Sequence, residues 1–219
     1  MNTVRIVLAV LLCAPLLCAA EPASPADAEA EYARAIDKRA NDIVKALELS
    51  DAEQAAKVHG ILIAQYRALR DWHDVNDAKL KDKSATAQEK QRVTDTLKAL
   101  HDDFLARLSA ELTPQQVDIV KDKLTYNVLH VTYNAYCEKL PQLTDAQKAY
   151  MMAQLKEARE IAMDQGSSEE KHAVFGKYKG RINNYLAKEG YDLKKADKEW
   201  AERRKAAAAS QKQQEAKQP

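Results

Sequence analysis

The chain has 219 residues, with 34 Lys and Arg against 33 Asp and Glu. The resulting formal charge of +1 leaves no basic excess to steer the protein toward nucleic acid or an anionic membrane surface. With 46% hydrophobic and 31% charged residues and only 5 Gly and 6 Pro, the composition suits a folded helical domain and leaves little turn material for an all-β fold.

The first segment, Met1–Ala20, has one positive charge at Arg5, an apolar run from Ile6 to Leu17, and then Cys18-Ala19-Ala20. That is the charged, apolar and small-residue order of a secretory signal peptide cleaved after Ala20, and the run is too short to cross a bilayer. Leu17 before Cys18 and Leu12 before Cys13 are poor contexts for lipid attachment. The expected product is therefore a soluble periplasmic or secreted protein with no membrane insertion. Signal removal takes Cys13 and Cys18 with it and leaves Cys137 as the single thiol, without an internal disulfide. Cys137 is then either a small buried side chain or a link between two chains, so the oligomeric state stays open.

The rest reads as helices. Ser or Thr stands three residues before Glu or Gln at Ser50–Glu53, Thr86–Glu89, Thr113–Gln116, Thr144–Gln147 and Ser167–Glu170, each time ahead of a helical pattern. Such capping boxes satisfy two orphan amide donors at a helix start. The first helix opens at Ser24-Pro25 and the second runs from Ser50 to about Lys81, with Val58, Leu62, Leu69 and Trp72 near one stripe. Thr86 opens a third through Leu108, and Thr113-Pro114 opens a fourth whose apolar positions continue through Val128 and Val131. Pro141 precedes a fifth from Thr144, closed by Gly166 as a C-cap, and a sixth runs from Ser167 to about Lys188, ended by Gly190. Leu193, Ala196 and Trp200 suggest a short seventh. The expected fold is all-α, with six to seven antiparallel packed helices in one domain over residues 21–200 after the signal at 1–20. The Ala-, Lys- and Gln-rich stretch 201–219 is expected to be a low-complexity tail, frayed or disordered.

No residue pattern carries recognised catalysis. The histidines form no zinc box, and no nucleophile elbow or phosphate loop occurs, so no catalytic residue, metal or cofactor is expected. His101-Asp102-Asp103 reads as a solvated acidic face, because helix neighbours point in different directions. Thr125–Cys137 differs: Tyr126, His130, Tyr133 and Cys137 fall on one helical face, with Asn127 and Asn134 beside it and no charge from Thr125 to Cys137. Such a stripe lines either a satisfied polar interior or a ligand cleft. A second dense segment offers His172, Lys179, Arg181 and Asn184 beside Phe175, Tyr178, Ile182 and Tyr185, the last four reading as core. Trp72-His73-Asp74 is a third candidate. We therefore expect Tyr126, Asn127, His130, Tyr133 and Asn134 to face His172, Lys179, Arg181 and Asn184 across a polar core or a sugar-filled cleft. An enzymatic alternative, a glycan-active one, would pair Glu169 or Glu170 with Asp74, since glycosidic chemistry uses two carboxylates at a set distance.

The segments Leu112–Gln116, Thr125–Tyr136 and Gly166–Trp200, above all Gly176-Lys-Tyr-Lys-Gly-Arg-Ile-Asn-Asn-Tyr185, resemble an uncharacterised family of secreted, all-helical bacterial proteins. That family carries a domain-of-unknown-function label and a description as sugar-binding. The resemblance spans about Ala30 to Arg204 and implies a carbohydrate partner, with no catalytic residues to carry over. Leu112–Gln116 and Leu143–Gln147 also resemble the Leu-Thr-x-x-Gln motif of periplasmic stress chaperones. That likeness implies a chaperone-like or envelope-stress role, although the Tyr- and Asn-rich segments have no counterpart there.

Overall fold

The computed structural model describes residues 24–215; the expected signal peptide, with Cys13 and Cys18, lies outside them. The chain divides into two compact units, one ending at Ala35 and the other starting at Ile36. In the first, the described residues are the opening turns of helix α1 (Pro25–Ala46). The Ser24 hydroxyl accepts from the Asp27 amide at 3.2 Å while the Asp27 carboxylate accepts from the Ser24 amide at 3.3 Å, a reciprocal cap in which Asp takes the place of Glu.

From Ile36 on, the rest of α1 is followed by α2 (Ala52–Lys81), α3 (Ala87–Glu111), α4 (Pro114–Leu124), α5 (Val128–Lys139), α6 (Asp145–Met163), α7 (Ser168–Lys188) and α8 (Leu193–Glu215). Every described element is a helix. Capping boxes close at Thr86, Thr113, Thr144 and Ser167. The Ser50 box does not form. Asp51 is the N-cap instead, its carboxylate accepting from the Glu53 amide at 2.8 Å. Asp caps as well as Ser does, and its charge favours the positive end of the helix dipole.

The expected fourth helix is two. α4 stops at Leu124, and Tyr126 and Asn127 turn left-handed at φ +58 and +56 before α5 begins. The buried Thr125 hydroxyl donates back to the Lys121 carbonyl at 2.8 Å, and the Asn127 amide reaches the Asp122 carbonyl at 2.7 Å. Side-chain and long-turn bonds thus close α4 where no glycine is present. The turn raises the number of helices among the described residues to eight and takes Tyr126 and Asn127 out of the expected helical stripe. α6 likewise ends before Gly166, with Asp164 as C-cap. Gly166 serves a close approach: a Cβ there would lie 3.0 Å from Cγ of His73. The expected frayed or disordered tail is helical as far as Glu215, as the continuation of α8.

Two neighbouring pairs are seen to run antiparallel from their cross-links. Gln54 bonds the Glu111 carbonyl while Trp72 donates to Thr96 at 2.9 Å, which fixes α2 against α3. Gln147 meets Glu189 and Glu157 meets Tyr178, which fixes α6 against α7. The apolar interior forms two clusters. One takes Ala40, Val58, Leu62, Phe104, Leu108, Val120 and Met163; the other takes Leu129, Leu155, Ala158, Phe175, Ile182 and Leu186. α6 contributes to both. No helix among the described residues is long and apolar enough to cross a membrane.

Candidate functional site

The α4–α5 turn brings part of the expected site together. Tyr126 is 44% exposed, and its ring stacks on His172 with centroids 5.7 Å apart and planes 14° from parallel. Beside it, His130 Nε2 lies 2.8 Å from the Asp122 carboxylate. The other Asp122 oxygen accepts from buried Arg159 at 2.7 Å, and Arg159 also reaches Asp118 at 2.6 Å. Burial works against the Arg159 charge, but the bonds to Asp122 and Asp118 overcome it and raise the guanidinium's pKa. Lys171, also buried, donates to the Leu124 carbonyl at 3.0 Å. Burial pushes its pKa down to about 8, helped by the positive charge of Arg39. Asp122, Arg159 and Lys171 were absent from the sequence-based set. They act here as a buried ionic base beneath the turn.

The other expected residues spread out. Tyr133 is half-buried next to Cys137, itself a half-buried free thiol, while Asn134 is exposed. α5 meets α7 through Tyr136, whose hydroxyl donates to Asn183 at 2.5 Å, and burial drives that phenol to about 12. Lys179 contributes its carbonyl to the same hydroxyl at 3.4 Å, and the Lys179 and Asn184 side chains are exposed. Arg181 is turned toward α6. It stands two positions past Lys179 and nine past His172, which puts it on the far side of α7 from both.

There Arg181 joins a group of polar and aromatic side chains between α6 and α7. Its guanidinium lies 4.3 Å over the Tyr178 ring and 3.7 Å from Glu157, and the Tyr178 hydroxyl donates to Glu157 at 2.6 Å. Two turns along, Tyr150 of α6 packs on Tyr185 of α7 with ring centroids 4.0 Å apart, and both remain half-buried. Next come Gln147, which donates to Glu189 at 3.3 Å, and Tyr191, whose hydroxyl donates to Gln147 at 2.8 Å. From Arg181 to Glu189 the seam extends about 12 Å at the helical rise. Burial, then the charge of Glu189, raises the Tyr185 pKa; burial, then Glu157, raises that of Tyr178. Both stay neutral phenols able to donate.

Of the stripe expected to be core, Phe175, Tyr178 and Ile182 are buried, but Tyr185 is half out. In the sequence Gln147 reads only as a capping residue, and Tyr150 and Glu157 carry no motif. Their steps of three and seven put them on one face of α6, a signal readable from spacing alone. The carboxylates of the enzymatic alternative have other settings: Glu170 caps α7 by accepting from the Ser167 amide at 3.1 Å, while Glu169 and Asp74 are exposed. The Leu-Thr-x-x-Gln segments are helix starts, with Thr113–Gln116 and Thr144–Gln147 closed as capping boxes and Leu112 and Leu143 buried. Among the described residues no group of three His, Cys, Asp or Glu side chains could hold a metal ion.

A family model described as a protein of unknown function (DUF3826) matches residues 33–206. No curated protein matches the chain.

Proposed function

Given that the chain belongs to this family, whose description assigns no activity, we propose from the geometry that it is an exported binding protein for a carbohydrate, held along the α6–α7 seam. The observation that supports this is the half-buried Tyr150–Tyr185 pair, with Arg181 and Glu157 on one side and Gln147 and Glu189 on the other. A sugar ring has an apolar face of C–H groups and an edge of hydroxyls that both donate and accept. Aromatic rings take the first, while amide, carboxylate and guanidinium groups take the second. Export rests on the Arg5, apolar-run and Ala20 order of the leader.

The test is a panel of oligosaccharides scored by thermal shift and by calorimetric titration. A ligand at a hundred times its Kd should stabilise the protein by about 2.7 kcal/mol. Tyr185→Ala should abolish that gain, whereas Thr86→Ala should lower the melting temperature and leave affinity intact. Failure of every saccharide to bind, or full affinity in Tyr185→Ala, would refute the seam.

A further inference from the structure

The α3–α6 side of the molecule carries a cavity that none of these residues enters. Its volume is about 430 Å³, and its wall includes Leu97, Lys98, His101, Glu160, Ile161 and Asp164. A volume of that order suits a small molecule. His101 had read as part of a solvated acidic face. Asp102 and Asp103 are indeed exposed, but the imidazole turns inward, its side chain only 15% exposed. The reason is on the facing helix: Asp164, at the end of α6, places Oδ2 2.8 Å from His101 Nδ1. His73 in turn lies 2.7 Å from the Asp164 carbonyl, so the end of α6 is held from two sides.

This arrangement leaves polar atoms incompletely paired, the buried Nδ1 of His101 among them, since its approach to Asp164 lacks hydrogen-bond alignment. His101 Nε2 stands 3.7 Å from Glu160 Oε2, beyond hydrogen-bond reach, and that oxygen accepts from Lys121 Nζ at 2.7 Å with room for a second donor. The Asp164 carboxylate keeps its second oxygen buried with no donor among the described residues. Each ring nitrogen of His101 faces a carboxylate, Asp164 at Nδ1 and Glu160 at Nε2, and the Asp164 carboxylate raises the imidazole's pKa against burial, which favours the doubly protonated ring. A group placed between Nε2 and Glu160 must therefore accept from the imidazolium and donate to the carboxylate. A hydroxyl does both. An ammonium cannot accept, and an added carboxylate would meet Glu160 and Asp164. The charges nearby are matched in pairs, Lys121 to Glu160 at 2.7 Å and Lys98 to Asp102 at 2.5 Å, which favours a neutral ligand. Leu97 and Ile161 offer apolar surface for its carbon skeleton.

We infer that this cavity is a second, separate binding site, taking a small neutral alcohol or polyol whose hydroxyl bridges His101 and Glu160. It does not depend on the seam, and it fails or stands apart from it. The experiment follows the imidazole signals of His101 by NMR while glycerol, erythritol and myo-inositol are titrated in turn, with acetate and ethylammonium as controls. At least one polyol should shift the His101 signals saturably, and neither control should. Ile161→Trp, which fills the cavity from an exposed position and leaves the ion pairs in place, should remove the shift; Tyr150→Ala, which disables the seam, should leave it unchanged. No saturable shift with any polyol would overturn the inference, as would an equal shift from acetate or ethylammonium or an undiminished shift in Ile161→Trp.

Discussion

Lys171 shows what burial does to one residue. Its amine is charged in the folded and unfolded chain alike below about pH 8, so the cost of burying that charge is then fully present. Between about 8 and the ordinary 10.5 the unfolded chain holds the proton more tightly, and stability rises with pH. The gap corresponds to about 3 kcal/mol at most. Lys171→Met should lose this rise, which denaturant melts at about pH 8 and about pH 10 would read as a flattened difference. The Leu124 carbonyl loses its partner equally at both pH values, so it shifts the level and not the slope. His101 works in the opposite sense. Its raised pKa makes its pair with Asp164 stabilising below the unfolded value, with that contribution lost as pH climbs through the folded one. At this scale the sequence was informative about kind and silent about partner. Tyr126 and His172 were picked out by composition, and they do stack. Nothing in the sequence says that Lys171 and Arg159 are buried, because burial of a charge depends on what the neighbouring helices bring.

Elements were more legible, for a local reason: a capping box acts within four residues, so its signal survives without knowledge of the fold. Four boxes close as written. The fifth was displaced by one residue because Ser50 and Asp51 compete for the same helix start and the charged side chain takes it. Asp51→Ala should therefore cost about 1 kcal/mol and Ser50→Ala close to nothing, measured by chemical denaturation. The break between α4 and α5 was not legible. Apolar spacing continues from Val117 through Val131, and neither Gly nor Pro interrupts it. A left-handed tyrosine is costly by itself. It persists because buried Thr125 and Lys171 bond the last carbonyls of α4, and Lys171 is 47 positions away from Leu124.

Across the whole molecule, α6 touches both apolar clusters and also carries Arg159, whose side chain is only 5% exposed. Replacing it by Ala leaves the Asp122 carboxylate buried with the exposed His130 ring as its remaining side-chain partner. The expected loss is about 3 to 5 kcal/mol, while Arg159→Met combined with Asp122→Leu should recover much of it. Urea unfolding of these two variants beside the unsubstituted protein would check this, and an equal loss in the double variant would show that packing alone is at stake. α8 has the reverse character. Its tertiary bonds cluster at Asp197, Trp200 and Arg203, which hold it to Glu138 and Lys139 of α5. Residues 201–209 are exposed, and a helix with little to bury is marginal on its own. Susceptibility to protease should therefore be very uneven along the chain. Brief trypsin treatment should cut first after Arg204 or Lys205, where the helix opens readily, and leave a trimmed protein that keeps its helical circular dichroism and its melting temperature.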